Sequence, residues 1–268
     1  MTGQSDEPSV GSTVPPYAAI VLAGGRATRL GGDKPNVQVG GRRLLDHVLE
    51  ATTGARRVVV VGPGDLLATR HSTGGPVTSG RFASTPVTST GRVSVAREDP
   101  PFGGPVAGLA AGLARLAEHS ETDTDTDTDT EDAPTPVLLL ACDVPLAPGL
   151  VPDLLAAWTH AHDGTSGTAA RGSALGAGRP SDEPVPDGIC VESGGRAQWL
   201  VGVYDARALR RALAAVAAAR GIDGASVKQL VGHLTLATIP DPRALSADVD
   251  TWHDVERIDS RLAEGDPR

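Results

Sequence analysis

A chain of 268 residues, 40% of them hydrophobic, is long enough to bury a sizeable α/β core, and with only 3% aromatics that core must be built from Val, Leu and Ala. The formal net charge of −9 is concentrated: Glu121 to Asp132 holds seven carboxylates and no base, and outside it 26 acids face 24 bases. A folded part so close to neutral lacks the clustered basic face that nucleic-acid binding requires, so any anion site must be local.

In chain order, residues 1–16 lack the basic start and apolar centre of a signal peptide and read as a disordered leader. Tyr17 to Ala23 is a short, partly β-branched apolar run, the pattern of a strand covered on both faces of a parallel sheet. It leads into a loop with glycines at 24, 25, 31 and 32 and with Arg26, Arg29 and Lys34. Glycines let backbone N–H groups approach an anion closely and the three bases supply positive charge, so phosphate is the natural guest. The loop is not a Walker loop, because Lys34 is followed by Pro35, and it lacks the G-x-G-x-x-G spacing of dinucleotide folds.

Asn36 to Gly41 predicts a small hairpin, and Arg43 to Thr53 a helix presenting Leu44, Leu45, Val48 and Leu49 on one face. Arg57 to Val61 is a second buried strand, which makes a right-handed strand–helix–strand crossover. Residues 62–91 are rich in Ser, Thr, Gly and Pro and read as an insertion with one weak helix at Asp65 to Arg70. Val93 to Ala96 is a strand, and a second glycine-rich turn opens a helix running through Leu116.

The Thr-Asp alternation inside residues 120–135 has no apolar content and lacks the glycine and terminal Glu of a calcium loop, so it reads as a solvated linker. Val137 to Ala141 is a third buried strand, ending at Cys142 and Asp143, and Pro152 to His160 is a helix. His160 and His162 alone make a poor metal site. Residues 164–188 form a third polar, glycine-rich insertion. A hairpin follows, with strands Ile189 to Glu192 and Gln198 to Tyr204 around Ser193-Gly194-Gly195. Helices at Ala206 to Ala219 and Ser226 to Leu230, a strand at Leu234 to Ile239 and a helix capped by Asp248-Val249-Asp250-Thr251 complete the chain through Leu262.

The fold expected from this order is one three-layer α/β/α domain over residues 17–263, with a Rossmann-like, mostly parallel sheet and an antiparallel addition in the second half. Ligands of such sheets bind beyond the carboxyl ends of the strands, where the first loop and Asp143 both fall. Two distant cysteines, Cys142 and Cys190, form neither a disulfide framework nor a zinc site, and no apolar run approaches the ~18 residues of a membrane span. A cytoplasmic protein with no membrane partner is the expectation.

Leu22-Ala23-Gly24-Gly25, then Thr28-Arg29-Leu30-Gly31-Gly32-Asp33-Lys34, resembles the signature of nucleotidyltransferases that activate small molecules with an NTP, and most closely that of the molybdenum cofactor guanylyltransferase family. Further stretches match in order. Gly104-Pro105-Val106-Ala107-Gly108-Leu109 resembles the family's Gly-Pro-Leu-Ala-Gly turn, and Cys142-Asp143-Val144-Pro145 its Cys-Asp-x-Pro metal site. Gln198 to Tyr204 is similar to its Gln-Pro-Leu-x-x-x-Tyr strand, and Asp248-Val249-Asp250-Thr251 stands where it has Asn-x-Asn-Thr or Asp-x-Asp-Thr.

The resemblance implies a fold of the nucleotide-diphospho-sugar transferase type and transfer of GMP from GTP to molybdopterin with release of pyrophosphate. Arg29, Lys34 and Asp143 would be catalytic, and Asp143 with Asp248 or Asp250 would hold Mg²⁺. Leu22 and Ala23 would lie against base or ribose, and Gly24, Gly25, Lys34 and Gly104 would border the nucleotide. Glu98 or Asp99 would read the guanine edge, and Gln198 would face the acceptor. The other readings are a cytidylyl counterpart, a guanylyltransferase for another small phosphate such as phospholactate, and a non-catalytic nucleotide-binding module. Beyond small molecules, the partners implied are molybdoenzymes and proteins of cofactor biosynthesis. Trp199 in place of Pro, the Thr251-Trp252-His253-Asp254 helix start and the missing Asn-Arg pair after Val61 depart from the family pattern away from the phosphate loop.

Overall fold

The computed structural model describes residues 14–24, 30, 33–67, 92–120, 135–162 and 184–264. β1 (Ala18–Leu22) is followed by a two-stranded ribbon, β2 (Gln38–Val39) and β3 (Arg42–Arg43), then α1 (Leu44–Ala51), β4 (Arg57–Val61), β5 (Val93–Ala96), α2 (Pro105–Ser120), β6 (Pro136–Ala141) and α3 (Val151–His162). The second half comprises β7 (Gly188–Ser193), β8 (Arg196–Asp205), α4 (Ala206–Arg220), α5 (Val227–Val231), β9 (Leu236–Pro240) and α6 (Trp252–Ala263).

Among the described residues, seven strands form one sheet in the order β5-β4-β1-β6-β8-β7-β9. β1 pairs in parallel with β4 on one side and β6 on the other, which explains its unbroken apolar sequence: Ala19, Ile20 and Val21 are fully buried. Among the described strands, β8 alone runs against its neighbours, because β9 pairs in parallel with β7. The antiparallel addition is therefore one reversed strand inserted into a parallel order. Its hairpin with β7 closes through Gly194 and Gly195, whose φ of 57° and 73° only glycine adopts without strain.

Alternate strand residues separate two cores. Val21, Val60, Leu138 and Leu140 pack with α1, α3 and α6. Ile20, Val59, Val61 and Leu139 pack with α2, α4 and α5 on the opposite face. A Cβ at Gly112 of α2 would stand 2.8 Å from Ile20 Cγ2, so a glycine is what lets this helix lie directly on β1. That close fit fixes the N-terminus of α2 beside the end of β1.

The expected helix at Asp65 to Arg70 is not formed where it is described: residues 64–67 make a turn, and 68–70 lie outside the described residues. Residues 1–13 of the leader and most of the three insertions, 68–91, 121–134 and 163–183, also lie outside them. Among the described residues no helix is long and apolar enough to cross a membrane. His162 is a core residue, stacked on Trp158 with ring centroids 3.8 Å apart and Nδ1 2.8 Å from the Trp158 carbonyl.

Candidate active site

A cleft of about 560 Å³ opens beyond the carboxyl ends of β1, β4 and β6. Backbone bonds hold its rim together: Ala23 N–H donates to the Val61 carbonyl at 2.8 Å, and Cys142 N–H donates to the Leu22 carbonyl at 2.9 Å. Leu22, Ala23, Gly24 and Lys34 line it from the first loop, Glu98 and Gly104 from the second, and Asp143 and Asp250 from the far side. Four stretches separated in sequence thus converge on one depression.

Lys34 opens a short 3-10 turn, Lys34–Asn36, with Pro35 buried beneath it. The Asn36 amide donates to both Asp33 carboxylate oxygens at 3.0 Å and accepts from Arg43 at 2.9 Å. Arg43 in turn holds Asp46 through two parallel bonds of 2.9 and 2.8 Å. This Asp33–Asn36–Arg43–Asp46 chain anchors Lys34 to α1. No sequence pattern marks it, because its members look like ordinary surface polar groups until the chain is folded.

The Lys34 ammonium donates to Asp143 Oδ2 at 2.7 Å and also to Asp250 Oδ1. Lys34 and Asp143 side chains are 16% and 22% exposed, so the pair is only partly screened by water. Partial burial works against the ammonium, but the charge and hydrogen bond of Asp143, followed by those of Asp250, outweigh it and raise the Lys34 pKa above the usual lysine value.

Asp250 reaches this point because Val249 N–H donates to the Asp143 carbonyl at 2.9 Å, its side chain is fully buried, and Thr251 caps α6 immediately afterwards. Asp248 does not line the cleft. It is exposed, but partial desolvation by its surroundings and the charges of Asp250 and Asp143 raise its carboxyl pKa.

The chemistry available follows from these groups. Asp143 and Asp250 converge on one cation, the Lys34 nitrogen, and Mg²⁺ needs only one or two protein carboxylates beside phosphate oxygens and water. That donor set fits Mg²⁺, although no group of three or more His, Cys, Asp or Glu converges on a metal position among the described residues. Cys142 borders the cleft, and burial pushes its thiol far above the ordinary range, which disfavours the thiolate.

Of the other predicted residues, Glu98 lies in the cleft while Asp99 is exposed outside it. Gln198 is not brought to the cleft; its amide lies 3.5 Å from the Arg196 carbonyl. Gly25 and Arg29 lie outside the described residues. Leu200, Phe102, Pro35 and Val61 line the cleft without having been singled out. No pattern marks a Leu or Phe as a lining residue before the loops are placed in space.

The model of the MobA-like NTP transferase domain matches residues 19–234, from β1 to the approach of β9. The chain belongs to this family. Two curated relatives are similar over part of their length. A molybdenum cofactor guanylyltransferase of Bradyrhizobium sp. is 35% identical over 109 residues, 40% of this chain and 43% of that protein. Another from Serratia proteamaculans is 30% identical over 137 residues, 51% and 53% of the two chains. The chain therefore spans about half the length of the curated relatives it matches.

Among solved structures, molybdopterin-guanine dinucleotide biosynthesis protein A of Archaeoglobus fulgidus superposes with a TM-score of 0.57 at 16% identity, covering 92% of this chain and all of that one. That likeness concerns the fold, and it agrees with the three layers and the mostly parallel sheet of this family member.

Proposed function

We propose that the protein is a Mg²⁺-dependent nucleotidyltransferase that moves GMP from GTP onto the phosphate of molybdopterin. The observation that carries this reading is the meeting of Lys34, Asp143 and Asp250 in a cleft whose other walls are glycine-rich loops at strand and helix ends. Membership of the MobA-like NTP transferase domain family and the likeness to two molybdenum cofactor guanylyltransferases support the choice of nucleotide and acceptor. The two buried free thiols suit a reducing, cytoplasmic setting.

In the reaction, an oxygen of the acceptor phosphate forms a bond to the α-phosphorus while the bond from that phosphorus to the β-phosphate bridging oxygen breaks, and pyrophosphate leaves with the electron pair. Such a transfer needs alignment and charge neutralisation more than covalent help. Lys34 turns from its carboxylates to the β- and γ-phosphates and offsets the charge of the leaving group. The backbone around Gly24 approaches the phosphates without a Cβ in the way, and Leu22 and Ala23 support the ribose. Asp143 and Asp250 would hold Mg²⁺, which supplies charge neutralisation on the phosphate oxygens when bound. Arg29 and Gly25 belong to the same phosphate group of residues in this reading, and Glu98 reads the base edge.

Pyrophosphate release measured with Mg²⁺, each of GTP, CTP, ATP and UTP, and molybdopterin or a simple phosphorylated acid tests it. Release with GTP and molybdopterin supports the proposal. A preference for CTP moves the activity to cytidylyl transfer, release only with the acid moves the acceptor, and nucleotide binding without turnover in any pairing contradicts an enzymatic role.

A further inference from the structure

Lys34 is a rare residue type in this chain. Of its 24 basic side chains 22 are arginines, and Lys34 and Lys228 are the two lysines. The difference is chemical: a guanidinium would clamp carboxylates in a rigid fork, whereas an ammonium is a compact charge with three donors on a flexible stem. Two of those donors go to Asp143 Oδ2, at 2.7 Å, and to Asp250 Oδ1. The ammonium thus stands where two carboxylates converge, the kind of position that a small divalent cation also takes.

The backbone of Lys34 and its charge are held by different groups. Buried Pro35 and the Asp33–Asn36–Arg43–Asp46 chain fix the turn, whereas the bonds of Nζ are to Asp143 and Asp250. The ammonium can therefore change partners by rotation of its stem, with the fold left as it is. Charge decides when it does. Among the described residues that line the cleft, the charged side chains are Lys34, Glu98, Asp143 and Asp250, one base against three acids. Withdrawing the ammonium leaves Asp143 and Asp250 facing each other uncompensated, a cost that a cation in its place removes. A divalent cation arriving alone meets the ammonium, and a triphosphate arriving alone meets the acids.

We infer that Lys34 is an exchangeable internal cation, which yields Asp143 and Asp250 to a divalent metal only when a triphosphate takes its ammonium. This rests on the nucleotidyltransferase reading proposed above and adds an order of assembly to it. Lys34 keeps the metal from loading by itself and couples loading to arrival of the triphosphate. The exchange also conserves charge, because two carboxylates that shared one positive charge then share two, while the ammonium offsets the incoming phosphates. An arginine at this position would hold the two carboxylates more rigidly and release them less readily.

Two measurements on the full chain test this, with thermal melts to confirm folding. In the first, Mn²⁺ alone is titrated into the parent, Lys34→Met and Arg42→Gln, the last removing an exposed positive charge paired with Glu50. Lys34→Met should bind Mn²⁺ at least about ten-fold more tightly than the parent, because the same carboxylates then lack a competing cation, and Arg42→Gln should match the parent. The second uses the parent labelled with ¹³C at lysine, whose two side-chain signals are assigned with Lys228→Arg, since Lys228 is exposed on α5. Mg²⁺ alone should leave both signals in place, and Mg²⁺ with inorganic triphosphate should move that of Lys34 only. Equal Mn²⁺ affinity in the parent and Lys34→Met, the same gain in Arg42→Gln, a Lys34 signal displaced by Mg²⁺ alone, or one that stays in place while calorimetry shows triphosphate bound would each overturn the inference and leave the nucleotide reading in place. A parent that binds neither GTP nor inorganic triphosphate with Mg²⁺ would overturn both.

Discussion

Lys34 holds together a site that its own carboxylates would otherwise push apart. Asp143 and Asp250 both bond to it, and Asp248 adds a third negative charge close by. Replacing it by a neutral side chain, Lys34→Met, should cost about 1–2 kcal/mol of stability in urea unfolding, less than a fully buried pair because the groups are partly hydrated. The sign with pH is fixed by the raised Lys34 pKa. Its contribution is complete below the ordinary lysine pKa of 10.5 and is lost as pH rises through the higher folded value, so parent and variant should converge in strong alkali. Asp248 works in the opposite sense. Its carboxyl is raised by desolvation and by Asp250 and Asp143, so its charge opposes folding at neutral pH. Asp248→Asn should therefore stabilise the protein by roughly 0.3–0.5 kcal/mol at pH 7 after solvent screening, a gain that fades as pH falls below the folded carboxyl pKa and the parent is protonated.

At the scale of elements, the cap of α6 places the Asp250 carboxylate in the cleft. The Thr251 hydroxyl accepts from Asp254 N–H at 3.3 Å, and the Asp254 carboxylate accepts from Thr251 N–H at 2.9 Å, a reciprocal capping box. Bonds from Arg257 and Thr251 hold the Asp254 carboxyl below the usual range, so this element loses stability only as the solution becomes strongly acidic. Asp250 precedes the cap directly. Thr251→Ala should lower stability by about 1 kcal/mol and also weaken turnover, because the chain that carries Asp250 loses its anchor. A loss of stability with unchanged kcat/KM would separate the cap from the site. The cap was legible in the sequence, because Thr251 and Asp254 stand at the spacing that such a motif requires and an amphipathic run follows. So were the strands around the cleft, since both-sided burial leaves an unmistakable apolar run in β1, β4 and β6. The Asn36 and Arg43 anchor of Lys34 was not, because it is a three-dimensional chain of polar contacts among residues that look like ordinary surface groups.

At the scale of the whole molecule, the sheet order turns distant residues into one site. Periodicity identifies strands but not their neighbours, and the insertion of β8 between β6 and β7 depends on pairing that no local pattern encodes. That Glu98 faces the cleft and Asp99 does not, and that Asp250 rather than Asp248 shares Lys34 with Asp143, are also consequences of packing. Adjacent carboxylates in a loop or in an extended segment are equivalent until the chain is folded. Nucleotide transfer by these assembled groups, as proposed, is tested by the rate of pyrophosphate release from GTP and molybdopterin by the parent and by Asp143→Asn, across a Mg²⁺ titration and with melts to confirm folding. A fall in kcat of about 100-fold or more in a folded Asp143→Asn protein is the predicted result, in the range seen when a single preorganised electrostatic contact is removed. Parent-like release by that variant, at any Mg²⁺ concentration, would contradict the account.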